Sequence, residues 1–203
     1  MIEGLPDGAG FATHGGTILF GQTGTTPEAP RTFAPPPPLV RRSQVDERIE
    51  HAAGDRLTTV FAYGAFVYGG QGAALPGLMK ASASKMGVAC YPKNGSGLWS
   101  TVHVDDFGAL LVDGVEKAPI GHHKVFAADT AVTIKQAAEA TGQALSLPVR
   151  SVEGEEAQRA FGFFSQALSG NQCYSAEPAK TVCGWQPEQS SFQAFEMSFG
   201  SEA

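Results

Sequence analysis

WSTVHVDDFGALLV, Trp99 to Val112, is the stretch on which the reading of this chain turns. A β-branched run from Thr101 to Val104 meets Asp105 and Asp106, which stand just before apolar residues at helical spacing, the pattern of a strand running into a capped helix. Either Asp can accept from the helix's first N–H groups, and Phe107, Leu110, Leu111 and Val115 then share one face. His103 falls near the carboxyl end of the strand, where open α/β sheets place their ligands.

On the amino-terminal side the same alternation continues. Leu57 to Phe61 reads as a buried strand, and the glycine-punctuated turn after it runs through Tyr63, Gly64, Tyr68, Gly69, Gly70 and Gly72. Leu75 to Met86 is a predicted helix with Pro76 in its first turn, Val88 to Tyr91 a short strand, and Asn94 to Gly97 a turn. Further upstream, residues 1–12 are glycine-rich without pattern and are expected to be a flexible start. Gly8, Gly10, Gly15 and Gly16 do not have GxGxxG spacing, and a strand is predicted only after them, from Thr17 to Phe20. Residues 22–38 shift to Thr, Pro and Gly and end in Pro35 to Pro38, a stiff surface loop or a docking segment for a proline-reading domain. The helix that follows puts Val45, Ile49 and Ala52 on one face and stops at Gly54.

On the carboxyl-terminal side, His122 and His123 precede a strand from Lys124 to Ala127, and adjacent strand residues point to opposite faces, which does not suit a shared metal. Thr130 is the expected cap of a helix carrying Ile134, Ala137, Ala138 and Thr141 and ended by Gly142. Leu145 to Val152, broken by Pro148, reads as an edge strand. A helix from Glu155 to Leu168, a tight turn at Cys183 to Pro187 and a helix within Ser191 to Phe199 complete the chain. Alternating strands and helices predict an α/β fold with a mostly parallel sheet and helices on both faces.

The 203 residues, with two fifths apolar, suffice for one sizeable core. A formal net charge of −6 argues against nucleic acid and anionic membrane as partners, because both reward basic patches. No apolar run approaches the ~20 residues of a membrane helix, and the first residues lack the pattern of a signal peptide. Three cysteines without a CxxC pair fit reduced thiols, so a cytoplasmic protein is expected.

LFG at Leu19 to Gly21, FVYGG at Phe66 to Gly70, GSGLWSTVHVDD at Gly95 to Asp106 and GWQPEQSSF at Gly184 to Phe192 come in the order and spacing of one family. In this the chain resembles the extended and atypical short-chain dehydrogenase/reductases, the NAD(P)-dependent epimerase/dehydratase group, from about Gly10 to Phe199. Members of that family open with a glycine-rich fingerprint and a helix that holds the cofactor pyrophosphate. The resemblance covers only their later part. It implies a truncated Rossmann-like domain over 13–199, with a sheet remnant at 13–66, a mainly substrate-side region at 67–199, and the dinucleotide-binding half missing.

The family's acid/base pair is a Tyr and a Lys spaced YxxxK. Counted from Gly21, those positions hold Val40 and Gln44, neither able to transfer a proton. The strand position expected to carry Ser holds Gly, flanked by His14 and Thr17, and His14 is the one candidate for a substitute acid/base. By resemblance Tyr63 and Phe66 face the cofactor's nicotinamide end, while Tyr68, Trp99 and His103 face a substrate cavity. Read from the residues alone, Trp99 and Tyr68 could equally pack the core, with His103 held by a backbone carbonyl. NAD or NADP is the implied cofactor, not bound by this chain alone.

Three functions remain open. The chain is a degenerate family member without redox catalysis of its own, or an active oxidoreductase or epimerase completed by a missing half or partner chain. The third is an interaction module using the proline run or an open sheet edge. A small-molecule substrate is expected if it is active, and a homodimer is a further possible assembly.

Overall fold

Every residue of Thr58–Gly64 (β2) is buried, as suits a central strand covered by helices on both faces. The computed structural model describes residues 2–28, 33–70 and 74–200. In it, β2 pairs in parallel with Gly10–Gly16 (β1) on one side and Gly121–Ala127 (β6) on the other. The period of two divides its side chains between two cores. Val60 and Ala62 pack with Leu110, Val125 and Trp185, while Phe61 and Tyr63 pack with Phe20, Phe126 and Tyr174.

Helix α1, Val40–Ala53, contributes Ile49 to the second of these cores. Helices α3, Val104–Lys117, and α7, Glu177–Cys183, cover the first. Phe66–Tyr68 (β3), Leu98–His103 (β5) and Thr130–Thr133 (β7) form a second sheet, parallel between β3 and β5 and antiparallel between β5 and β7. Ala89–Pro92 (β4) and Val149–Val152 (β8) make a separate parallel pair. Around Tyr68 and Trp99, helices α2 (Ala74–Met86), α4 (Ile134–Leu145), α5 (Gly154–Phe161) and α8 (Phe192–Ser198) enclose the third core. The fold is thus mixed α/β with mostly parallel sheets.

Several local expectations shift for identifiable reasons. Thr17–Phe20 is a 3₁₀ turn and not a strand; the strand is the glycine-rich Gly10–Gly16 before it. Small residues there let α3 lie close, since a Cβ at Gly10 would meet the Val115 carbonyl at 2.5 Å. Residues ahead of β1 are tied down by Arg56, whose guanidinium donates to the Leu5 and Ile2 carbonyls. Thr130 begins β7, and the cap of α4 is Thr133, which forms a reciprocal capping box with Gln136. Gly142 lies inside α4, where a Cβ would strike Val149 at 2.5 Å, and the helix ends at Ser146 in the left-handed conformation. The long helix expected over 155–168 breaks at Gly162, leaving α5 and the short α6, Phe164–Ala167. In α1 the buried positions include Ser43, Asp46 and Ala53, while Val45 is exposed. Of the apolar stripe on α3, Leu110 is fully buried and Val115 is exposed. Gly72 lies outside the described residues.

The paired acid does something other than cap. His103 is the N-cap of α3, its Nδ1 accepting from the Asp105 N–H at 3.3 Å. Asp106 instead accepts from the N–H groups of Glu188 (2.9 Å), Gln189 (3.1 Å) and Ser190 (2.7 Å) and from the Ser190 hydroxyl (2.6 Å). Its own carbonyl takes the Trp185 indole N–H at 2.8 Å. Burial pushes the Asp106 carboxyl up, but these donors outweigh it and hold it below the usual carboxylate range. A depressed folded-state value stabilises the fold fully above the ordinary carboxylate pKa, and that contribution is lost as pH falls through the folded value. Asp106→Asn should therefore cost about 1–3 kcal/mol at neutral pH and flatten the decline of stability below about pH 4. Thermal unfolding across that range checks both, and an acid limb identical to the wild type would refute the assignment.

Candidate functional site

The carboxyl ends of β1 and β2 open onto a cavity of about 490 Å³, the position where parallel α/β sheets bind ligands. His14, Gly15 and Gly16 reach it from β1, Thr17 and Ile18 from the turn beyond, and Gly64 and Ala65 from the end of β2. Phe66, Trp99, Phe107 and Phe164 supply aromatic walls. Phe66 stacks on Trp99 at 4.3 Å between centroids, and the Trp99 indole N–H donates to the Gly170 carbonyl at 2.9 Å, so this wall is fixed. Gly64 is required by close approach, since a Cβ there would stand 2.8 Å from the Phe107 ring.

One side chain on α1 reaches this cavity, and it is Arg42. Its Nη1 lies 2.6 Å from Asp46 Oδ1 one turn further on, and its Nη2 donates to the His14 carbonyl. The Asp46 side chain is fully buried, and its other oxygen accepts from the Tyr63 hydroxyl at 2.8 Å. Burial first, then the hydrogen bond to Asp46, pushes the Tyr63 phenol far above its ordinary value. Tyr63 is thus a permanent donor that orients Asp46, which in turn orients Arg42.

The residues singled out from sequence separate into two groups. His14, Phe66 and Trp99 line the cavity. Tyr63, Tyr68 and His103 do not border it. Tyr68 is buried, donates to the Ser191 carbonyl at 3.1 Å and accepts the Ser191 N–H at 2.9 Å. His103 caps α3 and fills the space beside Gly69, where φ is +79° and a Cβ would sit 2.2 Å from the imidazole. Val40 and Gln44 are exposed on α1 and do not line the cavity. The i, i+4 pair that α1 turns inward is Arg42 and Asp46. Sequence reading passed them over because a polar residue on an amphipathic helix is assigned to solvent; their spacing, which permits an ion pair, was the available signal.

Nucleophilic cysteine chemistry finds no support here. Burial pushes the Cys183 thiol up to about 11 and also raises those of Cys90 and Cys173. Among the described residues no cluster of three His, Cys, Asp or Glu side chains could hold a metal, and no helix is long and apolar enough to cross a membrane.

No family model matches the sequence. An uncharacterized protein of Schizosaccharomyces pombe, C2A9.02, is 32% identical over 157 residues, covering 77% of this chain and 53% of that protein. The uncharacterized protein YLL056C of Saccharomyces cerevisiae is 29% identical over 107 residues, 53% of this chain and 36% of its own length. The chain therefore spans about half the length of the first and about a third of the second. Among solved structures, MoeE5 in complex with UDP-glucuronic acid and NAD aligns with a TM-score of 0.71 at 13% identity, over 94% of this chain and 63% of that one. UDP-glucuronic acid 4-epimerase of Bacillus cereus, with UDP-glucuronic acid and NAD, gives 0.70 at 12% over 94% and 60%. The dTDP-glucose 4,6-dehydratase of Bacillus anthracis in complex with NAD gives 0.67 at 14% over 93% and 60%. The chain has the Rossmann-like fold of these NAD-dependent epimerases and dehydratases.

Removing the Tyr63 hydroxyl should weaken the buried network without opening a large void. Tyr63→Phe is expected to lower stability by about 1–3 kcal/mol, seen as a fall of several degrees in the unfolding midpoint; an unchanged midpoint would mean that Asp46 is satisfied without it.

Proposed function

We propose that this chain is an epimerase/dehydratase-like member of the short-chain dehydrogenase/reductase group that binds a small molecule in the cavity and carries out no redox chemistry by itself. The observation that carries this reading is the inward face of α1. It presents Arg42 to the cavity, locked to the buried Asp46, and no phenol and ammonium pair able to move a proton. Val40 and Gln44, at the counted positions, stand away from the cavity.

NAD or NADP is the cofactor suggested by the neighbours, and the described residues fit it only in part. The cavity has room for a flat ring against its aromatic wall. Two of the strand-to-helix turns among the described residues are not built to cradle a pyrophosphate. The turn from β5 into α3 has Asp105 and Asp106 in its first turn and Asp106 already committed to residues 188–190. The turn from β7 into α4 is closed by its capping box. These acidic or closed helix starts disfavour a second anion. Three free cysteines suit a reducing, cytoplasmic setting for the protein.

A second reading, an enzyme completed by a separate dinucleotide-binding half, is favoured by one observation. Among the described residues β1 is paired with a strand on one side only, β2, and on its other edge only the His14 carbonyl is taken, by Arg42, so the remainder of that edge suits another strand.

Thermal unfolding with and without millimolar NAD(H) or NADP(H) tests the primary reading. A ligand at ~100 times its dissociation constant would add ~2.7 kcal/mol and raise the midpoint by several degrees. No shift is expected with any of the four nucleotides. A shift with one of them would overturn the claim that this chain does not bind the cofactor alone.

A further inference from the structure

We propose that Arg42 is the ligand anchor of the cavity and that the ligand it holds is a monoanionic carboxylic acid on a flat, apolar body. This rests on taking the cavity as the substrate site and deepens that reading by naming the chemistry it selects. Among the described lining residues Arg42 is the only Arg, Lys, Asp or Glu. The rest of the wall is overwhelmingly apolar, with four aromatic rings together with Ile18, Val67 and Ala74. A cationic fork set at the rim of an apolar cavity discriminates by charge and planarity at one end and by apolar contact at the other.

The guanidinium is organised for this role before any ligand arrives. A guanidinium carries five N–H donors in a fixed plane. One is used on Asp46 and one on the His14 carbonyl, from the opposite ends of the fork. Those two contacts fix its orientation and leave the other donors uncommitted, while the side chain remains 31% exposed. Behind it, Asp46 is held by Tyr63, so the plane of the fork is set by three elements, α1, β1 and β2. Preorganisation of this kind reduces the entropy lost on binding.

Two features select the kind of anion. The fully buried Asp46 already offsets much of the charge of Arg42, so the fork holds an anion mainly through its directed N–H donors and leaves the second charge of a phosphate dianion unmatched. Among the described lining residues there is also no further cationic side chain of the kind a phosphate ester rewards. A planar carboxylate matches what is left of the fork. The aromatic wall of Phe66, Trp99 and Phe107 suits a conjugated or aromatic body better than a sugar, whose hydroxyls would each need a partner.

The test uses the purified chain, with trans-cinnamate as the probe and cinnamamide as its neutral counterpart of the same shape. Two-dimensional amide NMR titrations should show both compounds perturbing Gly15, Gly16 and Gly64, with cinnamate bound about tenfold or more tightly than the amide. Arg42→Gln should bring cinnamate to the affinity of the amide while leaving the amide unaffected. Arg42→Lys should retain part of the preference, since it keeps the charge and loses the planar fork. Retention of the wild-type spectrum outside the cavity shows that each variant is folded. Equal binding of acid and amide, or a preference that survives Arg42→Gln, would overturn the role of Arg42 while leaving the cavity as a binding site. Failure of both probes to perturb the cavity at 10 mM, a concentration about ten times that expected to half-saturate the acid, would overturn the proposal together with the reading of the cavity as a substrate site.

Discussion

One buried carboxylate ties the chain together. Asp106 gathers donors from three consecutive residues near the carboxyl terminus and sits in the first turn of α3, so α3 and the 184–192 segment are positioned by one group. The Ser190 hydroxyl that it accepts from also receives the His103 N–H at 3.0 Å. The next residue, Ser191, exchanges two hydrogen bonds with Tyr68 at the end of β3 and caps α8. Strands β3 and β5, the start of α3 and the start of α8 therefore meet at one polar knot. Inside a protein such a network is costly if any member is missing and specifies one arrangement when all are present.

The second polar network, Arg42 with Asp46 and Tyr63, sits on the opposite face of the sheet from α3 and has another character. The Asp106 knot joins backbone to carboxylate and closes in on itself. The α1 network ends in a guanidinium that is partly exposed at the cavity rim. Both place an Asp in a buried position with its oxygens satisfied, but only one leaves a charged donor facing usable space.

Much of the architecture was legible in the chain. Alternating strands and helices gave the α/β class, and β2, α2, β4, β5 and α8 fall close to where β-branched runs, helical periodicity, proline and serine signals put them. Strand β1 was missed because its glycines are there to admit α3 and carry no strand propensity of their own. The boundary of α4 moved because Thr130 and Thr133 are both plausible caps, and only the tertiary structure commits the Thr130 hydroxyl to that of Thr101 and leaves Thr133 to box with Gln136. Trp99 and Phe66 could be picked out as aromatic residues near a strand end. The spacing of Arg42 and Asp46 permits an ion pair, but not the conclusion that the pair faces inward, because burial of a polar side chain depends on what lies opposite it.

By itself, then, the sequence determined the α/β class, the buried character of β2 and the position of most elements from β2 onward, since these follow from local periodicity and turn chemistry. The tertiary structure decided which polar residues are structural and which face a ligand. Asp105 and Asp106 are neighbours with the same chemistry, yet Asp105 is exposed and Asp106 is buried beneath three N–H groups. The difference comes from chain that returns eighty residues later, and no local pattern contains it.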